Sequence, residues 1–134
     1  MNDVAETIDL LGLEHSTQTI KGENIVADTR LIVSDGIIWF IYGYNCTQTP
    51  QNCSELQFRA VIEYKANEQQ PLLDLNLWNA KNRFVRAYTT PGAKTVILEM
   101  DVYLAGGVTL SNVTDQILLW RQSLRKFLQS MEAR

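Results

Sequence analysis

Four charged side chains stand where they could act on a ligand or on each other: Arg83 and Arg86 in one short stretch, Glu99 and Asp101 in another, with Thr90-Pro91-Gly92-Ala93 between them. Pro at the second and Gly at the third position of that tetrapeptide suit a turn, so the two stretches are expected to be strands of one hairpin, Arg83 to Thr89 and Thr95 to Leu104. A turn centred on Pro91-Gly92 sets Arg86 opposite Ile97 and diagonal to Glu99; a slip of one residue sets Arg83 opposite Asp101. Either register offers a cross-strand ion pair. Guanidinium forks also bind carboxylates bidentately, so the cluster could hold an anionic ligand or an acidic peptide. Structural ion pairs produce such clusters too, which makes fixing the register the simpler role.

Asn76 and Asn79 flank Trp78 near the end of an expected helix, where side-chain amides satisfy terminal carbonyls or the following turn. A ligand contact is the alternative for both, while Trp78 is expected to anchor the helix in the core. Cys46 and Cys53, with six residues between them, fit no zinc pattern, because there is no second pair and His15 is the only histidine. They could close a loop disulfide in an oxidising compartment; without a signal peptide, two reduced thiols are preferred. Gly106-Gly107 lacks the Lys and Ser/Thr that complete a phosphate-binding loop and suits a strand-to-helix turn, with Thr109, Ser111 or Asn112 capping the helix after it. No nucleophile, base and orienting group fall into a recognised arrangement. The sequence therefore nominates no catalytic residue, no cofactor and no metal ligand.

The 134 residues, 46% hydrophobic, suffice for one core, and a single domain over 1–134 is expected. A formal net charge of −3 with no basic run argues against nucleic acid as a partner. The most apolar run, Ile37 to Tyr42, is far below the roughly 20 residues that span a bilayer, so no membrane is expected either. Acidic residues near the N-terminus and the lack of an apolar run behind them do not suit a secretory signal. A cytoplasmic location is expected, or a periplasmic one if a signal peptide has been removed.

The elements that must position these residues follow from periodicity. Val4, Ile8 and Leu11 fall at helical spacing and Gly12 is placed to end that helix. Glu14 to Asn24 is mostly polar and is expected to be a loop. Asp35-Gly36, the dipeptide of a tight hairpin, separates a strand from Ile25 to Val33 from one at Ile37 to Tyr44. Alternation predicts a strand from Leu56 to Tyr64, and Pro71 suits the first turn of a helix reaching about Lys81. Val113, Ile117, Trp120, Leu124, Phe127 and Met131 step by 4, 3, 4, 3 and 4, the stripe of a long amphipathic helix. The order α-β-β-β-α-β-β-α implies an α+β fold with an antiparallel five-stranded sheet.

Asn76-Leu77-Trp78-Asn79, Arg83-Phe84-Val85-Arg86-Ala87-Tyr88, Leu98-Glu99-Met100-Asp101 and Ala105-Gly106-Gly107-Val108 resemble the YbjN family of bacterial sensory transduction regulators, over nearly the whole chain. The element order also resembles type III secretion chaperones, whose members often dimerise and bind proteins. The resemblance implies a non-enzymatic regulatory or chaperone-like module that binds an unidentified protein and itself, as a homodimer. The candidate interface is the strand face left over by the helices: Ile38, Phe40, Tyr42 and Tyr103, with Val61 and Ile97. The alternative is a small-ligand sensor or enzyme built on Arg83, Arg86, Glu99 and Asp101.

Overall fold

The computed structural model describes residues 8–9, 11–22, 25–46, 53–63, 71–90 and 94–132. Six strands and two helices occupy them: β1 (Glu14–Gly22), β2 (Ile25–Ser34), β3 (Ile37–Cys46), β4 (Cys53–Glu63), α1 (Pro71–Lys81), β5 (Arg86–Thr89), β6 (Thr95–Tyr103) and α2 (Leu110–Glu132). The strands form one antiparallel sheet in the order β1-β2-β3-β4-β6-β5. Asp35 and Gly36, with φ of 56° and 78°, make the turn between β2 and β3, where Ser34 faces Ile37. Two positive φ angles match the right-handed twist of the strands they join.

The α+β class and the five expected strands are all present, and one element corrects the sequence analysis. The polar stretch expected to be a loop is β1, paired along its length with β2 from Glu14 opposite Val33 to Gly22 opposite Ile25. An edge strand is held by backbone hydrogen bonds to one neighbour, so it can fold without an apolar alternation. Of the expected opening helix, only Ile8 and Asp9 are helical among the described residues; Val4 lies outside them. Leu13 N–H donates to Ile8 C=O, and Gly12 closes the turn at φ 69°.

Both helices pack on the same face of the sheet. The stripe on α2 is as expected: Val113, Ile117, Trp120, Leu124 and Phe127 are buried, with Met131 partly so. Trp120 stacks on Phe58 of β4 at 5.8 Å between ring centroids and lies 5.9 Å from Trp39 of β3. Asn112 N–H donates to Thr109 Oγ1 at 3.0 Å, so Thr109 caps this helix. Helix α1 enters the same core through Leu75 and Trp78, whose ring meets Phe127 edge-on at 5.0 Å. Asp35 ties the β2–β3 turn to α2 by accepting from Arg125 Nε at 2.6 Å.

Cys46 and Cys53 face each other at the mouth of the β3–β4 pair, 3.8 Å apart at Cα, and are joined in a disulfide rather than left as the two thiols preferred from sequence. Gly43 makes room for it, because a Cβ there would stand 2.5 Å from Cys53 Sγ.

Two outcomes follow. Trp78→Ala should cost about 3–5 kcal/mol in denaturant unfolding, through lost burial and the cavity left under α1; an unchanged midpoint would contradict the packing described. Gly43→Ala should destabilise the oxidised protein by about 1–3 kcal/mol and the reduced protein by less, as read by unfolding with and without reductant. Equal losses in both would mean that the sulfurs do not set the need for glycine.

Candidate functional site

Alternation along each strand sends one set of side chains under the helices and the other to the uncovered face. On that face the strands meet in transverse rows. Phe40 pairs with Arg59, Arg59 with Glu99, and Glu99 with Arg86, so one row crosses β3, β4, β6 and β5. The adjacent row joins Tyr42, Gln57 and Asp101. On the other side stand Val61, Ile97 and Tyr88.

Glu99 is the centre of this array and is only 2% exposed. Its Oε1 accepts from Arg59 Nε at 2.8 Å and from the Tyr88 hydroxyl, and its Oε2 accepts from Arg86. The second arm of Arg86 reaches Asp101, whose Oδ1 accepts from Gln57 Nε2 at 3.0 Å. Arg59 also lies over the Tyr42 ring, 5.5 Å from its centroid, and Tyr42 stacks beside Phe40 at 5.8 Å. A buried carboxylate is costly unless its lone pairs are filled, and here three donors fill them.

The electrostatics follow from this geometry. Burial by itself would raise the Glu99 carboxyl, but the Tyr88 hydrogen bond and the two guanidinium groups outweigh it and hold the group below its ordinary value of 4.5. Burial and the neighbouring carboxylate push the Tyr88 phenol up, and burial raises Tyr42. Arg86 is raised, chiefly by its hydrogen bond to Asp101; in Arg59 burial works downward and the charge of Glu99 overcomes it. Every one of these shifts carries the group's titration further from neutral pH. That is the reverse of what a general acid or base requires.

The expected residues are thus partly brought together. Arg86, Glu99 and Asp101 share one network, but the register differs by two residues from the expected one: Arg86 faces Glu99, and Tyr88 faces Ile97. The last pair is Thr89 with Val96, and Pro91 to Ala93 of the turn expected between the two strands lie outside the described residues. Arg83 does not join the network. Val85 N–H donates to Arg83 C=O at 2.9 Å around Phe84, whose φ is 75°, so a tight turn holds Arg83 out of the strand, which starts at Arg86. Arg59, Gln57 and Tyr88 were missed as members; the sequence signal of Arg59 and Gln57 is their place on the polar side of an alternating strand, and that of Tyr88 is its place at the end of the Arg83-Phe84-Val85-Arg86-Ala87-Tyr88 stretch.

Asn79 takes a structural part. Its amide donates to Ala87 C=O and accepts from Ala87 N–H, both at 2.9 Å, which closes the open edge of β5 as a further strand would. Asn76 is exposed on α1 and away from this contact. The interface candidates do share the uncovered face: Ile38 is 50% exposed and Tyr103 71%, with Phe40 and Tyr42 half-buried between them. Val33 and Val61, both exposed, extend the apolar surface.

Residues 7–133 match the family model of YbjN, described as "Putative bacterial sensory transduction regulator". The chain belongs to the YbjN family. Among solved structures it resembles the crystal structure of YbjN from E. coli, there named "a putative transcription regulator", with a TM-score of 0.60 and 17% identity over 94% of this chain and 84% of that one. That likeness is one of fold. No curated protein matches this chain. Among the described residues no helix is long and apolar enough to cross a membrane, and no group of three or more His, Cys, Asp or Glu gathers as metal ligands would.

A pH dependence tests the array. Because folding lowers the Glu99 value, its stabilisation is complete above 4.5 and is lost as the pH falls through the lower folded value. Asp35, also held low against the opposing effect of burial by Arg125, Ser34 and Arg121, acts in the same direction. Glu99→Gln should cost about 1–3 kcal/mol at pH 7, less than for a fully enclosed pair because both arginines reach water. It should also flatten the stability profile below pH 4.5; a variant as acid-sensitive as the parent would remove Glu99 from its central position.

Proposed function

We propose that this YbjN-family chain is a non-enzymatic regulatory module that works by binding protein through the uncovered face of its sheet, most simply a second copy of itself. The observation that carries the reading is the pattern of that face. Ile38, Val33 and Val61 on one side and Tyr103 on the other expose apolar surface around a network of two guanidinium and two carboxylate groups. Exposed apolar side chains gathered on one face mark a contact surface, and the paired charges among them supply its polar part.

The charges within that network cancel, so two such faces can meet without repulsion, and a twofold contact removes the patch from both copies at once. The small-ligand alternative at the same residues is weaker on chemical grounds. Both arms of Arg86 and both oxygens of Glu99 are already engaged with one another, which leaves an incoming anion little to bind. A chaperone-like action on another polypeptide would use the same face, in competition with self-association.

Sedimentation velocity at micromolar concentration should show a dimer. Ile38→Glu and Tyr103→Glu should each shift it toward monomer by about tenfold or more in dissociation constant, the scale of a charge placed at an interface core, while the melting temperature is kept. A monomer at all accessible concentrations would count against self-association.

A further inference from the structure

A groove of about 350 Å³ runs between α1, the tight turn at Phe84 and α2, away from the uncovered sheet face. Lys81, Arg83 and Lys126 stand around it, and among the described residues no carboxylate lines it. None of the three has an acidic partner among the described residues, although the whole chain carries a net charge of −3. Elsewhere the arginines on view are committed: Arg59 and Arg86 to Glu99, Arg121 and Arg125 to Asp35. Three unpaired cations around one groove are therefore a local departure from the chain's own pattern, and such a concave positive site attracts anions.

A further observation points to a ligand. Trp78 lines the groove and is 92% removed from water, so its ring is placed to report on what the groove holds. Phe84 holds a φ of 75°, which a bulky side chain rarely adopts, and leaves its ring 59% exposed at the rim with Arg83 over it at 4.7 Å. Strain and an exposed ring are both costs to folding, and strained positions cluster where a ligand is held.

We propose that this groove binds a small phosphate monoester with a planar apolar group, its phosphate among Lys81, Arg83 and Lys126 and its planar part against Phe84. Lysines act as point charges for phosphate and Arg83 offers a fork to its oxygens, while a flat face suits the exposed ring. The site is separate from the sheet face, so it stands or falls independently of dimerisation.

The probe is phenyl phosphate, with inorganic phosphate and phenol as its two halves, and the readout is the indole N–H resonance of Trp78, assigned by its loss in Trp78→Phe. Phenyl phosphate should shift that resonance saturably, inorganic phosphate more weakly and phenol scarcely at all, with affinity falling as salt is added. Lys126→Ala and Arg83→Ala, at exposed positions that leave the core intact, should each weaken the probe by about tenfold, the scale of one charge-assisted hydrogen bond. Phe84→Ala should weaken phenyl phosphate and leave inorganic phosphate unchanged. No saturable shift, equal binding of phenol, or full affinity in the lysine and arginine variants would each overturn the proposal.

Discussion

One face of a six-stranded sheet is covered by two helices and the other is not, and the rest of the structure depends on that asymmetry. The stripe from Val113 to Phe127 seals the covered face, its Trp120 meeting Trp39 and Phe58 of the sheet in a cluster whose ring centroids lie within 6.4 Å of one another. Aromatic burial of this kind supplies much of a small domain's stability. Every residue that alternates away from this core is sent to the open face, where a carboxylate can be buried only if neighbouring strands bring it donors. Glu99 sits on β6, between β4 and β5, and that position lets Arg59 and Arg86 reach it from both sides.

Much of this was legible because it is local. Asp35-Gly36 needs two positive φ angles and nothing distant; the α2 stripe is a matter of spacing; Trp78, between Leu75 and the end of its helix, could hardly be elsewhere than the core. The face assignment of Ile38, Phe40, Tyr42 and Tyr103 also followed, since a strand's period of two survives an error of two residues in register. That is why Arg86, Glu99 and Asp101 were placed together although their expected pairing was off.

What escaped was non-local or depended on a single dihedral. Arg59 meets Glu99 across 40 positions of sequence, and no local pattern specifies that β4 and β6 are neighbours. Strand β1 lacks the alternation by which a half-buried strand is recognised, because its pairing is made by the backbone. Arg83 differs from Arg86 by one residue's conformation: the positive φ of Phe84 turns it out of the ion network toward Lys81 and Lys126. The sequence contains both arginines in one motif, yet the fold divides them between two surfaces, one internally neutral and one with its cations unspent.

The uncovered face is the surface on which the proposed activity rests, and hydroxyl-radical footprinting across concentration tests it most directly. Tyr103, exposed in the single chain, together with Phe40 and Tyr42, should be oxidised readily in dilute solution and become protected at micromolar concentration, while Phe84 on the far groove keeps its reactivity. Protection that spares Tyr103, Phe40 and Tyr42, or no change at any concentration, would contradict the assignment of this face as the site of contact.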